Sequence, residues 1–129
     1  MVDASAVAAA LVVDAPIGAM ASERLASDHD QRAPSLIDLE ILSMLRRWLA
    51  RGRLGSSRAD QAVVDLAGLP IERYPHVALL PRVWELLHDL TPYDGAYVAL
   101  AEALGAPLVT ADGRLARATG PRCSIELLA

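Results

Sequence analysis

The chain has 129 residues, of which 53% are hydrophobic, 22% charged and 4% aromatic, with a formal net charge of −4. That length suits one domain whose core needs neither disulfides nor a structural metal, and so apolar a composition argues against disorder. The single Cys123 excludes an internal disulfide and fits a reducing compartment, and without a Cys/His cluster a structural zinc site is excluded.

The net acidity argues only weakly against a nucleic-acid partner, because the distribution of charge matters more than its total. All 12 basic residues are arginine, and Lys, Asn and Phe are absent. Those three residues share A/T-rich codons, so a GC-rich genome accounts for their absence without a functional cause.

In chain order, "MVDAS" reads as a short strand running into a helix that continues through about Val13. The apolar run Ala4 to Val13 resembles the core of a signal peptide. It lacks a basic segment ahead of it, however, and Asp14 ends it far short of the ~20 residues a membrane span needs. The expectation is a soluble, cytoplasmic chain with no membrane contact. A second helix, about Ala19 to Ser27, leads into the polar turn "SDHDQR".

"APSLIDLEILSMLRRWLARG" reads as a helix capped by Ser35 after Pro34, with arginines in its last turns and Gly52 beyond its end. "SSRADQAVVDLAGLP" is a further helix with a Ser N-cap, stopped by Gly68 and Pro70. "IERY" is a brief strand and "LLPRVWELLHDL" is helical by its apolar spacing. In "TPYDGAYVALAEALGAP", Thr91 caps, Pro92 takes the first helical position, and Gly105 with Pro107 ends the helix. "PLVT" and "SIELL" complete the strands, with a short helix over "GRLARA" between them. Strands alternating with helices predict an α/β domain with a parallel sheet.

Four acids stand out. Asp3 ends the first strand and Asp112 follows "PLVT", which sets both on the ligand-binding edge of a parallel sheet if their strands are neighbours. Asp94 lies in the first turn of the helix that feeds "PLVT", so topology alone leaves it nearer the opposite edge. Glu40 has Leu36, Ile37, Ser43 and Met44 as its helical neighbours. An ionised carboxylate there is costly unless it is paired, hydrogen-bonded or bound to a metal. Asp38, on another face, is a supporting candidate.

Each acid also has an ordinary explanation. Asp3 and Asp112 can cap helices, and Thr91 with Asp94 has the form of a capping box. From composition and spacing, capping and metal binding both stay open.

Three blocks carry a resemblance: "VDASAV", "APSLIDLEILSMLRR" and "LTPYDGAYVALAEALGAPLVTADGRLARA". With them the chain resembles the PIN-domain ribonucleases, and within these the VapC-type toxins of bacterial toxin–antitoxin pairs, nearly from end to end. The resemblance implies a single PIN domain over residues 1–129, with a PIN-like three-layer α/β sandwich in which helices flank a central parallel β-sheet. It implies a catalytic and metal-binding set of Asp3, Glu40, Asp94 and Asp112, supported by Ser5 and Thr110, and it turns Asp94 towards the shared pocket. The implied cofactor is Mg²⁺, with Mn²⁺ as the alternative. The implied activity is endonucleolytic RNA cleavage by metal-activated water, giving a 5′-phosphate and a 3′-hydroxyl. Two features depart from the pattern. The strand before Asp3 is only "MV", as if the start were trimmed or the strand weak, and Gly95 stands where alanine is favoured.

Phosphate binding needs positive charge, and the span Arg46 to Arg58 carries five arginines and no acid. Arg114, beside Asp112, is the better phosphate contact. So few aromatics favour recognition of RNA by shape over stacking on a broad platform. His29, His76 and His88 are scattered singly and read as structural or surface residues. The implied partners are a cognate VapB-type antitoxin, an RNA substrate and a second copy of the chain in a homodimer. The competing reading is a catalytically silent PIN-like module that binds RNA or protein. A nucleotide-binding α/β protein is disfavoured because no GxGxxG or P-loop motif is present.

Overall fold

Residues 1–3 stitch the sheet together. Val2 forms a parallel bridge with Val109, Val109 N–H donates to Met1 C=O (2.9 Å), and Asp3 N–H donates to Val109 C=O (3.1 Å). On its other side Val2 N–H donates to Arg32 C=O (3.1 Å). The segment thus sits between two parallel pairs, β1 (Arg32–Pro34) with β2 (Glu72–Tyr74) and β3 (Leu108–Thr110) with β4 (Ile125–Leu127). The computed structural model describes residues 1–14 and 16–128. Around the strands run α1 (Ala4–Val12), α2 (Ile17–Ala26), α3 (Ile37–Ala50), α4 (Ser56–Gly68), α5 (Leu80–Leu86), α6 (Pro92–Leu104) and α7 (Gly113–Ala116). The α/β architecture with parallel strands is the one expected, but "MV" contributes one bridge rather than a strand.

Local chemistry explains most of the elements. Thr91 caps α6, its hydroxyl accepting from Asp94 N–H (3.1 Å), and Gly105 ends that helix in the left-handed conformation (φ 62°) that a Cβ disfavours. Residues 95–101 of α6 are all buried, so this helix lies through the core rather than on its surface. Val2, Val7, Ile37, Ile41, Tyr97, Val98, Leu108 and Leu115 form the centre of the packing. Gly95 has a packing reason, since a Cβ there would come within 3.2 Å of Val83 Cγ1.

Two expected caps are corrected. Ser35 does not cap α3, because its N–H and hydroxyl both donate to Tyr74 C=O (2.8 and 3.2 Å) and tie the end of β1 to β2. Leu36 occupies the cap position of α3 without a side-chain bond, and Gly55 rather than a serine precedes α4. Arg32–Pro34 form a strand just ahead of α3, where the sequence reading placed none. Among the described residues no single helix is long and apolar enough to cross a membrane.

The join between α1 and α2 depends on Gly18. A Cβ built there would stand 1.6 Å from Val13 O and 3.2 Å from Ala9 O, both backbone atoms that cannot yield as a side chain does. Gly18→Ala is therefore expected to cost about 2 kcal/mol or more through overpacking. Thermal unfolding followed by circular dichroism should show a midpoint lower by roughly 5–10 °C.

Candidate active site

Asp3 is 5% exposed and fully engaged. Its Oδ1 accepts from Ser5 Oγ (2.7 Å) and from Ala6 N–H (2.9 Å), and its Oδ2 accepts from the Thr110 hydroxyl. Ser5 Oγ in turn accepts from Ala111 N–H (2.9 Å), and Thr110 Oγ1 accepts from Asp112 N–H (2.9 Å). One buried carboxylate thereby caps α1, binds the end of β3 and, through Thr110, fixes the backbone at Asp112. Burial raises the Asp3 pKa above its ordinary value; the Thr110, Ser5 and Ala6 donors oppose that shift, and the charge of Asp94 adds to it.

The other acids share this neighbourhood. Glu40 enters from the first turn of α3, half-buried, with its pKa raised by burial and by the charges of Asp94 and Asp3. Asp94 enters from the first turn of α6, its pKa raised by burial and by Asp112. The start of α6 thus faces the acidic pocket, not the opposite edge. Asp112 stands just beyond β3 and caps α7, its Oδ1 accepting from Arg114 N–H (2.8 Å). Asp3 and Asp112 therefore do act as caps, and they also belong to one field of four carboxylates. For Asp94 only the Thr91 half of the capping box is formed.

Cations border the pocket. Arg114 donates to Asp112 Oδ2 (2.9 Å) and lowers the pKa of Asp94, so it stands at the mouth with its side chain 77% exposed. Arg47, two turns along α3 from Glu40, favours that residue's charged form. Arg46, Arg47, Arg51 and Arg53 are exposed and enter no ion pair among the described residues, whereas Arg58 pairs with Asp14 (3.0 Å). Asp38 does not support the pocket, because Arg73 on β2 takes both its oxygens (2.7 and 2.8 Å).

One wall residue escaped the sequence reading. Tyr97 is 1% exposed, and its hydroxyl stands beside Glu40 within the field of Asp3 and Asp94. Its pKa is pushed up by burial first and then by Glu40. The phenol is close enough to favour the charged form of Glu40, yet short of a formed hydrogen bond: the Tyr97 hydroxyl and Glu40 Oε1 are both buried without a partner. The signal was its position three residues after Asp94, on the same helical face.

All four carboxylates offer hard oxygen donors of the kind Mg²⁺ and Mn²⁺ accept. The buried, unpartnered Glu40 Oε1 and the raised pKa values of three of the acids mark a pocket deficient in positive charge, so the residues fit such a cation. Among the described residues no three acid, His or Cys side chains already stand at ligating spacing. The acids share a field without yet sharing a coordination sphere.

The PIN domain model matches residues 1–121. The chain is 43% identical over 129 residues to VapC ribonuclease Mb0985 of Mycobacterium bovis, covering 99% of this chain and 97% of that protein. It is 39% identical to ribonuclease VapC12 of Mycobacterium tuberculosis, with 100% and 98% covered. Among solved structures, PAE2754 from Pyrobaculum aerophilum superposes with a TM-score of 0.70 at 25% identity, over 97% of this chain and 81% of that one. The fold, the acidic pocket and the length of these matches lead to one assignment: the chain belongs to the PIN-domain family and, within it, to the VapC-type ribonucleases.

Proposed function

We propose that this chain, as a single PIN domain over residues 1–129, is the toxic nuclease of a type II toxin–antitoxin pair. In this reading it is a Mg²⁺-dependent cytoplasmic endoribonuclease, able to use Mn²⁺ and restrained by a VapB-type antitoxin. It works as a homodimer. The observation that carries the reading is the convergence of Asp3, Glu40, Asp94 and Asp112 on one field in which burial and mutual repulsion hold three of them above their ordinary pKa values.

The bound cation supplies an activated water and positive charge at the phosphodiester oxygens. Asp3, fixed by Ser5, Ala6 and Thr110, gives the site its rigid carboxylate. Glu40 and Asp94 come from two helix starts, where the N-terminal dipoles favour negative charge. Asp112 closes the set when Arg114 turns to a phosphate of the RNA, a contact suited to its forked guanidinium. In-line attack of water on phosphorus breaks the bond to the 3′-oxygen, leaving a 3′-hydroxyl and a 5′-phosphate. No side-chain nucleophile takes part.

Loss of the Asp94 carboxylate should abolish cleavage without loss of fold. Asp94→Asn is expected to lower the cleavage rate by roughly a hundredfold or more. RNA end-mapping after expression without antitoxin should show 5′-phosphate ends with the wild type and none above background with the variant. Persistent cleavage and growth arrest would instead leave the protein a binding module.

The acids also make a prediction about stability. A carboxyl whose folded pKa is raised holds its proton more tightly when folded, so stability falls as pH rises from the ordinary carboxylate value through the raised one. Asp94→Asn removes that cost. In the metal-free protein it should raise the melting temperature at pH 7, and the gain should vanish on acidification to below the ordinary Asp value. Mn²⁺ should raise the wild-type melting temperature at pH 7, by about 2.7 kcal/mol of stability at a hundredfold excess over its dissociation constant. The variant should respond less.

Arg114→Ala is expected to weaken RNA binding across sequences and to reduce the slope of log affinity against log salt by about one. Filter binding at several salt concentrations to a catalytically dead Asp94→Asn protein checks this.

A further inference from the structure

Two neighbouring side chains, Tyr97 and Glu40, each carry a buried polar atom without a partner. Tyr97 is the largest of the fully buried side chains, and its hydroxyl has no hydrogen-bond partner. Glu40 Oε1, also buried, has none either. A buried hydroxyl without a partner is costly, and an apolar side chain could fill the same space without that cost. The chain nevertheless places its phenol here, one helical turn after Asp94 on α6 and beside Glu40 of α3. The charged groups whose fields reach the hydroxyl are Glu40 from α3, Asp3 from the N-terminal segment and Asp94 from its own helix.

We propose that Tyr97 is the positioning residue for Glu40: its hydroxyl is placed to donate to Glu40 Oε1 and to hold that carboxylate in the orientation in which it would ligate a divalent cation. The inference rests on the metal-dependent reading above and deepens it. Asp3 has three donors that hold it in place before any ligand arrives. Glu40 has no formed side-chain bond at Oε1, so its orientation must come from elsewhere, and the phenol is the neighbour able to give it. The phenol keeps its proton throughout and touches neither water nor RNA. Its effect passes through Glu40 alone.

Calorimetric titration of the metal-free full chain with Mn²⁺ tests this, using wild type, Tyr97→Phe, Glu40→Gln and the double variant. Tyr97→Phe is expected to weaken Mn²⁺ binding roughly tenfold to a hundredfold, the loss of one hydrogen bond to a charged group. In the Glu40→Gln background the same change should have no further effect, the non-additivity of two residues acting as one unit. The metal-free melting temperature of Tyr97→Phe should equal or exceed that of wild type, because an orphan has been removed and the ring kept. Equal Mn²⁺ affinity in wild type and Tyr97→Phe, or losses that simply add in the double variant, would overturn the proposal. A drop in melting temperature with unchanged Mn²⁺ affinity would make Tyr97 a packing residue only and overturn it equally. A wild-type chain that binds no Mn²⁺ would overturn the metal-dependent reading itself, and this inference with it.

Discussion

The structure turns on the carboxylate of Asp3. Its donors come from Ser5 and Ala6 in the first turn of α1 and from Thr110 at the end of β3, more than a hundred residues away in sequence. Each hydrogen bond to a charged group contributes about 1.5–3 kcal/mol. Three of them offset much of the cost of burying the charge, although burial still dominates the shift in its pKa. A residue that caps a helix, joins the N-terminal segment to the sheet and faces the acidic pocket cannot be changed without moving all three. Asp3 is therefore a poor place to separate catalysis from folding. Asp94, whose carboxylate anchors no backbone, is the cleaner one.

Around that anchor the pocket is built on unfavourable terms. Glu40 and Asp94 sit where burial and like charge both oppose ionisation, and no buried cation is placed among them. The arrangement disfavours the charged pocket at neutral pH and, under the proposed function, makes the same chain receptive to a divalent ion. The flanking arginines lie outside: Arg47 on the α3 surface, and Arg114 at the mouth. On the proposed reading they would attract a polyanion without neutralising the acids that hold the cation, a division of labour that net charge alone conceals.

The long helices were legible because each carries its own punctuation: Thr91, Pro92 and Gly105 bound α6 as the sequence implied. The three-residue strands were harder. β1 contains a proline and is too short for a two-residue period to register, so it went unread between the polar turn and the helix that follows. Ser35 was misassigned because a serine before a helix is a good cap until a neighbouring strand offers Tyr74 C=O instead. At the candidate site, Asp3, Glu40, Asp94 and Asp112 were visible as acids in odd places. Their convergence was implied by the family resemblance but not by composition or spacing, because the turn of the α6 start towards the pocket is a matter of packing. Tyr97 was missed for a related reason, since in sequence a tyrosine at helical spacing is ordinary core and only its unpartnered hydroxyl distinguishes it.

Arg114 and Asp112 are the least settled pair in the pocket, and physically that suits them. Asp112 gives one oxygen to the N–H of Arg114 and the other to its guanidinium, so neither is free for a cation in this arrangement. The N–H bond belongs to the start of α7 and should persist. The guanidinium bond is different, because an exposed pair of this kind is worth only about 0–1 kcal/mol. A phosphate diester offers the same guanidinium two oxygens and a full charge, which is a better partner than a carboxylate already engaged at its other oxygen. Under the proposed function, RNA that draws Arg114 outward would release Asp112 to the pocket at little cost, so substrate binding and completion of the metal site would be one event rather than two.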